Sequence, residues 1–232
     1  MLHGSFTQRW IWHRINAMKL NSKAAQPGAS SKERILDAAR GLFGTFGYTE
    51  TTYRRIAGAA EVPEGLIAHH FASKENLYVE VALDVLDRLT IDIDESLLHT
   101  ADSMGAVIAF CECFLNFSRN AATGFIALLR CSPFAPTDAG PRQGEILDRC
   151  AGIADRLCQI VAQGHEDRSI RPCDPQLQTK VIIAALIGAT RAYLLNQSNF
   201  LGIDDPEAFY RETIVTLAAG LSSQAGPLPH DR

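Results

Sequence analysis

With 232 residues, 47% of them hydrophobic, the chain is long enough for a small unit beside a larger buried core. A formal net charge of −4 excludes a generally basic nucleic-acid coat, so any field that attracts a polyanion must be local. The longest apolar run, Val181 to Leu195, is broken by Arg191 and is too short to cross a membrane, which leaves a cytoplasmic protein as the expectation.

Residues 1–29 hold Arg9, Arg14, Lys19 and Lys23 and no acidic residue. They read as a basic extension; the alternatives are an unstructured tail, or translation that begins at Met18. Trp10-Ile11-Trp12 is too short, and too interrupted by charge, for a signal peptide. Ser30 with Glu33 then makes a capping box, after which Ile35, Ala39, Leu42, Phe43 and Phe46 recur at helical spacing. Gly47 is expected to end this helix, since glycine takes the left-handed conformation at no steric cost. Thr51 or Thr52 caps a second helix with Ile56, Ala57 and Ala60 inward. Glu61-Val62 forms the turn, Val62 plugs the small core, and Pro63 stands at or near the first position of a third helix. There Leu66, Ile67 and Phe71 pack inward and leave Glu64, Gly65, Ala68 and His69 outward. A short helix held across another places side chains in a DNA major groove, and a basic extension before it can lie along the minor groove.

The run Thr51-Thr52-Tyr53-Arg54-Arg55-Ile56-Ala57, the turn Ala60-Glu61-Val62-Pro63-Glu64-Gly65 and the hinge His69-His70-Phe71-Ala72-Ser73-Lys74 resemble the DNA-binding domain of the tetracycline-repressor (TetR) family. The resemblance is close from Ser30 to Tyr78 and holds only in outline beyond. It implies an all-α fold: a basic extension (1–29), a helix-turn-helix DNA-binding domain (30–76), an effector-binding and dimerisation domain (77–223) and a tail (224–232). Arg54 aligns with a frequent base-edge contact, and its guanidinium suits guanine. Lys74 and His70 align with phosphate contacts, Thr51 or Thr52 combines a cap with a phosphate contact, and Gly65 and His69 face the groove. Two positions depart from the pattern. Ala68 stands where the family usually has a phosphate-gripping tyrosine, and Glu64 where it often has lysine or a polar residue. A carboxylate there repels phosphate yet can accept from cytosine N4, or it simply favours the positive end of the helix dipole.

Beyond Lys74 the chain reads as helix punctuated by proline and glycine. A connector from Glu75 to about His99 carries Leu77, Val81, Val85, Leu86 and Leu89. Further helices are predicted over Ser103–Asn120, Thr123–Cys131, Gly144–Gln163, Pro175–Gln197 and Pro206–Ser222, with breaks at Pro133–Pro136 and Arg171–Pro175. The helix from Pro175 is apolar nearly all round, which means burial on several sides. Val181, Ala185, Gly188 and Ala192 form one stripe, and Ile182, Leu186, Ala189 and Tyr193 the next. The resemblance implies that the last two helices pair with their copies in a four-helix homodimer interface, built from Val181, Ala185, Gly188, Ala192, Thr213, Leu217 and Gly220. On spacing alone, Phe110, Phe114, Phe117, Phe125 and Leu129 are plain core. The resemblance makes Phe110, Phe114, Phe117, Leu129 and Phe134 walls of an effector pocket, with Arg130, Arg191 and Asn196 as polar partners.

The six cysteines include no CxxC pair and no histidine at ligand spacing, so neither metal nor cofactor is expected. Cys111 and Cys113 read as small buried apolar residues, and Cys131, Cys150 and Cys173 as the candidates for a redox-sensing thiol. There is no Gly-x-Ser-x-Gly elbow, Walker loop or His-Glu-x-x-His, so no enzyme is expected. The implied function is a DNA-binding transcriptional regulator, a repressor released from double-stranded operator DNA by a small, largely apolar effector. The alternative is a helical ligand-binding or scaffold protein whose helix-turn-helix has weakened, a reading that Ala68 and Glu64 support.

Overall fold

The structure, a computed structural model, describes residues 30–131, 142–194 and 202–223. They fall into two compact units, one reaching Val81 and the other starting at Ala82. Among the described residues every regular element is helical, apart from an isolated antiparallel bridge between Ile170 and Ser222.

The first unit contains α1 (Ser31–Glu50), α2 (Tyr53–Ala60), α3 (Glu64–Phe71) and the opening turns of α4 (Lys74–Leu97). The capping box at the head of α1 is formed: the Ser30 amide donates to Glu33 at 2.7 Å and the Glu33 amide to Ser30 Oγ at 3.3 Å. Gly47 breaks the helical path at φ 76°, ψ −179°, as its sequence position suggests, but the chain then takes one more turn to Glu50. Thr51 closes that turn by donating its hydroxyl to Gly47 O at 2.7 Å. Thr52 is therefore the cap of α2, accepting from the Arg55 amide at 3.3 Å. Pro63 lies just outside α3 as its N-cap rather than within its first turn. Ile35, Ala39, Phe43, Ile56, Ile67 and Leu77 are fully enclosed, Leu66 and Val62 only half so. Burying such side chains is worth roughly 1.5–3 kcal/mol each, which holds so small a unit together. Tyr78 caps the cluster edge-on to both Phe43 and Tyr48, at 5.5 and 5.8 Å between centroids.

Both corners around α3 use residues with positive φ. Glu61 ends α2 in the left-handed region at φ 55°, ψ 47°. Ala72 ends α3 at φ 61°, ψ −42°, while the Ser73 amide donates to Phe71 O at 2.7 Å. That is a γ-turn of the rare, strained hand, and it costs about 1–3 kcal/mol for a residue with a Cβ.

The second unit continues α4 through buried Ala82, Val85, Leu86, Leu89 and Ile93. It adds α5 (Ser103–Arg119), a 3-10 turn (Ala121–Thr123), α6 (Phe125–Arg130), α7 (Gln143–Glu166), α8 (Pro175–Leu194) and α9 (Pro206–Leu221). The helix expected over Thr123–Cys131 is thus split, because Gly124 turns left-handed at φ 75°. Asp87 pairs with Arg149 at 2.7 Å and Asp94 with Arg156 at 2.5 Å, so α4 and α7 run side by side in the same direction. The head of α5 is capped from two places. Asp102 accepts from the Gly105 amide at 2.7 Å, while Asp167 and Ser169 accept from the Ser103 and Met104 amides at 2.9 and 3.1 Å. Gly164 leaves room for Ile170, whose side-chain atoms come within 2.4–2.8 Å of where a Cβ would stand. The tail of α9 is tied down by Arg171, whose amide and Nε donate to Leu221 O and Gly220 O at 2.9 and 2.7 Å.

Candidate nucleic-acid interface

The outward face of α3 consists of Glu64, Gly65, Ala68 and His69, all exposed, while Ile67 and Phe71 anchor the opposite face in the core. The i, i+1, i+4, i+5 spacing puts these four on one side of the helix. Pro63 supplies no side-chain cap to α3, while the Leu66 amide donates to Pro63 O at 3.0 Å. On α2 the paired arginines diverge. Arg55 folds back, donating to Glu50 O at 2.7 Å and covering the Phe46 ring at 4.6 Å. Arg54 is exposed, and its guanidinium makes no ion pair or hydrogen bond with another described residue. Its five donors are available to a ligand.

Three of the anticipated contacts are already engaged within the unit. Thr51 is fully buried with its hydroxyl turned inward, so it is not a phosphate contact; of the two threonines only Thr52 is exposed. Lys74 donates to Tyr48 O at 3.0 Å and Thr51 O at 3.2 Å and lies 4.3 Å above the Tyr48 ring. Its ammonium thus ties together the end of α1 and the start of α4. His70 places Nε2 2.9 Å from Ser31 Oγ, joining the end of α3 to the head of α1. Ser31 and Tyr48 were not foreseen, because each meets its partner across tens of residues.

In the second unit Phe110, Phe114, Phe117 and Leu129 are buried, and Phe114 and Phe117 pack edge-on against Phe125 at 5.4 and 6.1 Å. Arg130 is half-buried and Arg191 exposed, its Nη1 donating to Leu129 O at 3.3 Å. Phe134 and Asn196 lie outside the described residues. An open polar hollow of about 590 Å³, unforeseen in the sequence, lies among Asn116, Arg119, Asn120, Tyr193, Pro206 and Glu207, with Arg119 and Glu207 ion-paired across it. None of the anticipated effector residues lines it.

The two stripes of α8 differ in burial, although Tyr193 of the second is only half-buried. Ile182, Leu186 and Ala189 are buried, whereas Val181 and Gly188 are exposed and Ala185 and Ala192 half-exposed. Leu177 and Val181 are 60% and 49% exposed, and Val215 on α9 is 53% exposed. On α9, Gly220 is exposed and Thr213 and Leu217 are half-exposed; Tyr210 and Leu221 alone are buried.

Burial raises four of the thiols. Burial pushes Cys111 up to about 12 and Cys113 up to about 11, with Glu112 and Asp92 adding repulsion in turn. Cys150 and Cys173 are also raised by burial, Cys173 despite Arg171 nearby and His165 at 3.4 Å, so neither has the thiolate character a sensor needs. Among the described residues no group of three His, Cys, Asp or Glu could hold a metal, and no helix is long and apolar enough to cross a membrane.

The fold and face define a helix-turn-helix protein with a second helical unit. Residues 35–81 match the family model of bacterial regulatory proteins of the tetR family. The transcriptional repressor AcnR of Corynebacterium glutamicum is 34% identical over 73 residues, which are 32% of this chain and 39% of AcnR. The match therefore spans about two fifths of that repressor. The ketosteroid transcriptional regulator KstR2 of Mycobacterium tuberculosis superposes on 86% of this chain and 98% of its own, with a TM-score of 0.67 at 22% identity. AibR, solved with isovaleryl coenzyme A and operator DNA, superposes on 81% and 97%, with a TM-score of 0.66 at 19% identity. Over residues 35–81 the chain is similar to the tetR family of bacterial regulatory proteins, and its fold is shared with solved members of that family along most of its length.

Proposed function

We propose that the chain is a transcriptional regulator, a homodimeric repressor that leaves its operator when a small, largely apolar effector binds the second unit. The observation that carries this reading is the surface of α2 and α3: an uncommitted Arg54 guanidinium with the exposed face of Glu64, Gly65, Ala68 and His69. A short helix so presented fits the major groove, where a guanidinium can pair with guanine O6 and N7 and a carboxylate can accept from cytosine N4. Thr52, His70 and the third donor of Lys74 are the phosphate contacts of this reading.

Leu177, Val181 and Val215 support the dimer, because they put large exposed apolar side chains on the two helices, α8 and α9, that the resemblance assigns to the interface. A second copy covers them through α8 and α9, with Ala185, Gly188, Ala192, Thr213, Leu217 and Gly220 allowing close approach. Two copies would then present two recognition helices to successive major grooves, about 34–36 Å apart. For the effector, the support is the aromatic cluster around Phe114 and Phe125 with Arg130 and Arg191 at its margin. Release requires that the effector bind the DNA-incompetent state more tightly, and a coupling of about 1–3 kcal/mol shifts operator affinity from several-fold to a hundred-fold.

The test is binding of the purified protein to promoter-proximal duplex, with a scrambled duplex as control. Saturable, salt-sensitive preference for the promoter is expected, and Arg54→Ala should lower operator affinity about tenfold or more while the dimer persists. An unchanged footprint in that variant removes Arg54 from the site. A second reading, a ligand-binding protein with a weakened helix-turn-helix, is favoured by Glu64 and Ala68 on the exposed face; it predicts no salt-dependent duplex binding at all.

A further inference from the structure

We propose that the polar hollow where α5, α8 and α9 meet is a binding site for a small hydroxylated carboxylate, which takes the place of Glu207 on Arg119. The observation that carries it is an ion pair held unequally by its partners. Arg119 ends α5, Glu207 stands in the first turn of α9, and their side chains meet across a hollow of about 590 Å³. The Arg119 side chain is 32% exposed and forms part of the wall, whereas that of Glu207 is 63% exposed. A carboxylate so open to water gains little from such a pair and returns to solvent at small cost. The guanidinium then presents its planar fork of N–H donors to another carboxylate, in the two-pronged geometry it favours. Glu207 is thus the internal occupant of a carboxylate site.

The other walls decide the class of acid. Asn116 and Asn120, at the end of α5, supply two carboxamides, and Tyr193, near the end of α8, a phenol. Asn120 Oδ1 accepts from the Ala122 amide at 3.0 Å, which leaves the Asn120 amide nitrogen to donate. Carboxamides and phenols both donate and accept, so they match hydroxyl groups better than an apolar tail. Charge sets the number of negative groups. Arg119 is the one cation among the described residues lining the hollow, and Asp204 and Asp205 stand just ahead of Glu207 in the chain. A monoanion is therefore balanced there, and a phosphate dianion or a polyacid is not. Behind the wall the packing is polar too. Ser118 Oγ and Thr190 Oγ1 lie 3.2 Å apart, both residues buried, and Tyr210 packs edge-on against Tyr193 at 5.7 Å. Tyr210 is 4% exposed, and its enclosed hydroxyl makes no well-formed hydrogen bond among the described residues, with Ser118 close by. Such exceptions are rare in a folded core and collect where a polar guest or water completes the network. The hollow shares no lining residue with the aromatic cluster assigned to the effector, and the proposal does not rest on the DNA-binding reading.

The experiment titrates gluconate, and lactate as a shorter hydroxy acid, into the full chain by calorimetry, without DNA and at constant ionic strength. Glucitol, with a hydroxymethyl group in place of the carboxylate of gluconate, is the neutral control. Gluconate or lactate is expected to bind and glucitol is not. Arg119→Gln should weaken the binding about tenfold or more. Glu207→Gln removes the internal competitor and should tighten it by about two- to fivefold. Opposite effects from the two halves of one ion pair mark a site for which Glu207 competes, whereas a purely structural pair moves both variants the same way. Circular dichroism and thermal melting confirm that both variants are folded. Binding that weakens alike in both variants, or changes in neither, overturns the proposal. So does glucitol binding as tight as that of gluconate, or no binding of either acid at about 10 mM, where a millimolar site is filled.

Discussion

Lys74 offers a test between two physical roles for one ammonium group. The family resemblance implies a phosphate contact, whereas the structure has it bridging Tyr48 O and Thr51 O above the Tyr48 ring. Lys74→Met keeps the stem and removes the charge, stranding two carbonyls at the end of α1. Two charge-assisted hydrogen bonds on a half-buried side chain are worth about 1 kcal/mol each after solvent competition, and the cation–π contact adds about 0.5–1. The loss should total about 2–3 kcal/mol, which for a cooperatively unfolding chain of this size lowers Tm by about 5–10 °C. If the bridging role dominates, the salt dependence of duplex binding stays unchanged at temperatures where the variant is folded. Calorimetry and a salt titration read the two effects separately. An unchanged Tm with a slope lower by about 2 per dimer would show that the ammonium serves phosphate and that the clamp is worth nothing.

Other expectations concern the second unit. Gly164→Ala should destabilise the chain by about 1–2 kcal/mol, because overpacking against Ile170 exceeds the gain in helix propensity; a stabilised variant would contradict the close approach. Asp167 has its carboxyl held well below the usual carboxylate range by hydrogen bonds from Ser103 and Ser169. A depressed folded pKa stabilises above the unfolded value of about 3.9 and is lost as pH falls below it, so Asp167→Asn should lower Tm at neutral pH and converge on the parent in acid. A Tm difference independent of pH would sever that link. Val181→Glu with Val215→Glu should yield a helical monomer in light scattering, since two charges cannot be buried unpaired at a subunit interface; a persisting dimer would place the interface elsewhere.

What could be read directly was chemistry confined to a few neighbouring residues. The caps at Ser30, Thr52 and Asp205 and the two stripes of α8 follow from side-chain type and helical period, and the structure places them accordingly. Gly47 shows the limit of local reasoning. Its break is evident from residue type, but the extra turn to Glu50 depends on the inward bond of Thr51. The roles of Lys74 and His70 were hidden for a different reason: their partners lie 23 to 39 residues away, and periodicity carries no information about such pairs. The strained corner at Ala72 has no signature either, since alanine ordinarily signals helix.

The double capping of α5 has a consequence for how the second unit breathes. First-turn amides normally exchange with solvent by local fraying at little free-energy cost. Here the Ser103 and Met104 amides are held by Asp167 and Ser169, 64 and 65 residues further along. Opening either amide to deuterium requires its bond to Asp167 or Ser169 to break, and the segment that carries these acceptors is anchored by Ile170 beneath Gly164. The head of α5 and the tail of α7 should therefore exchange as one cooperative block, with a slow edge where a helix terminus would ordinarily be the first place to fray.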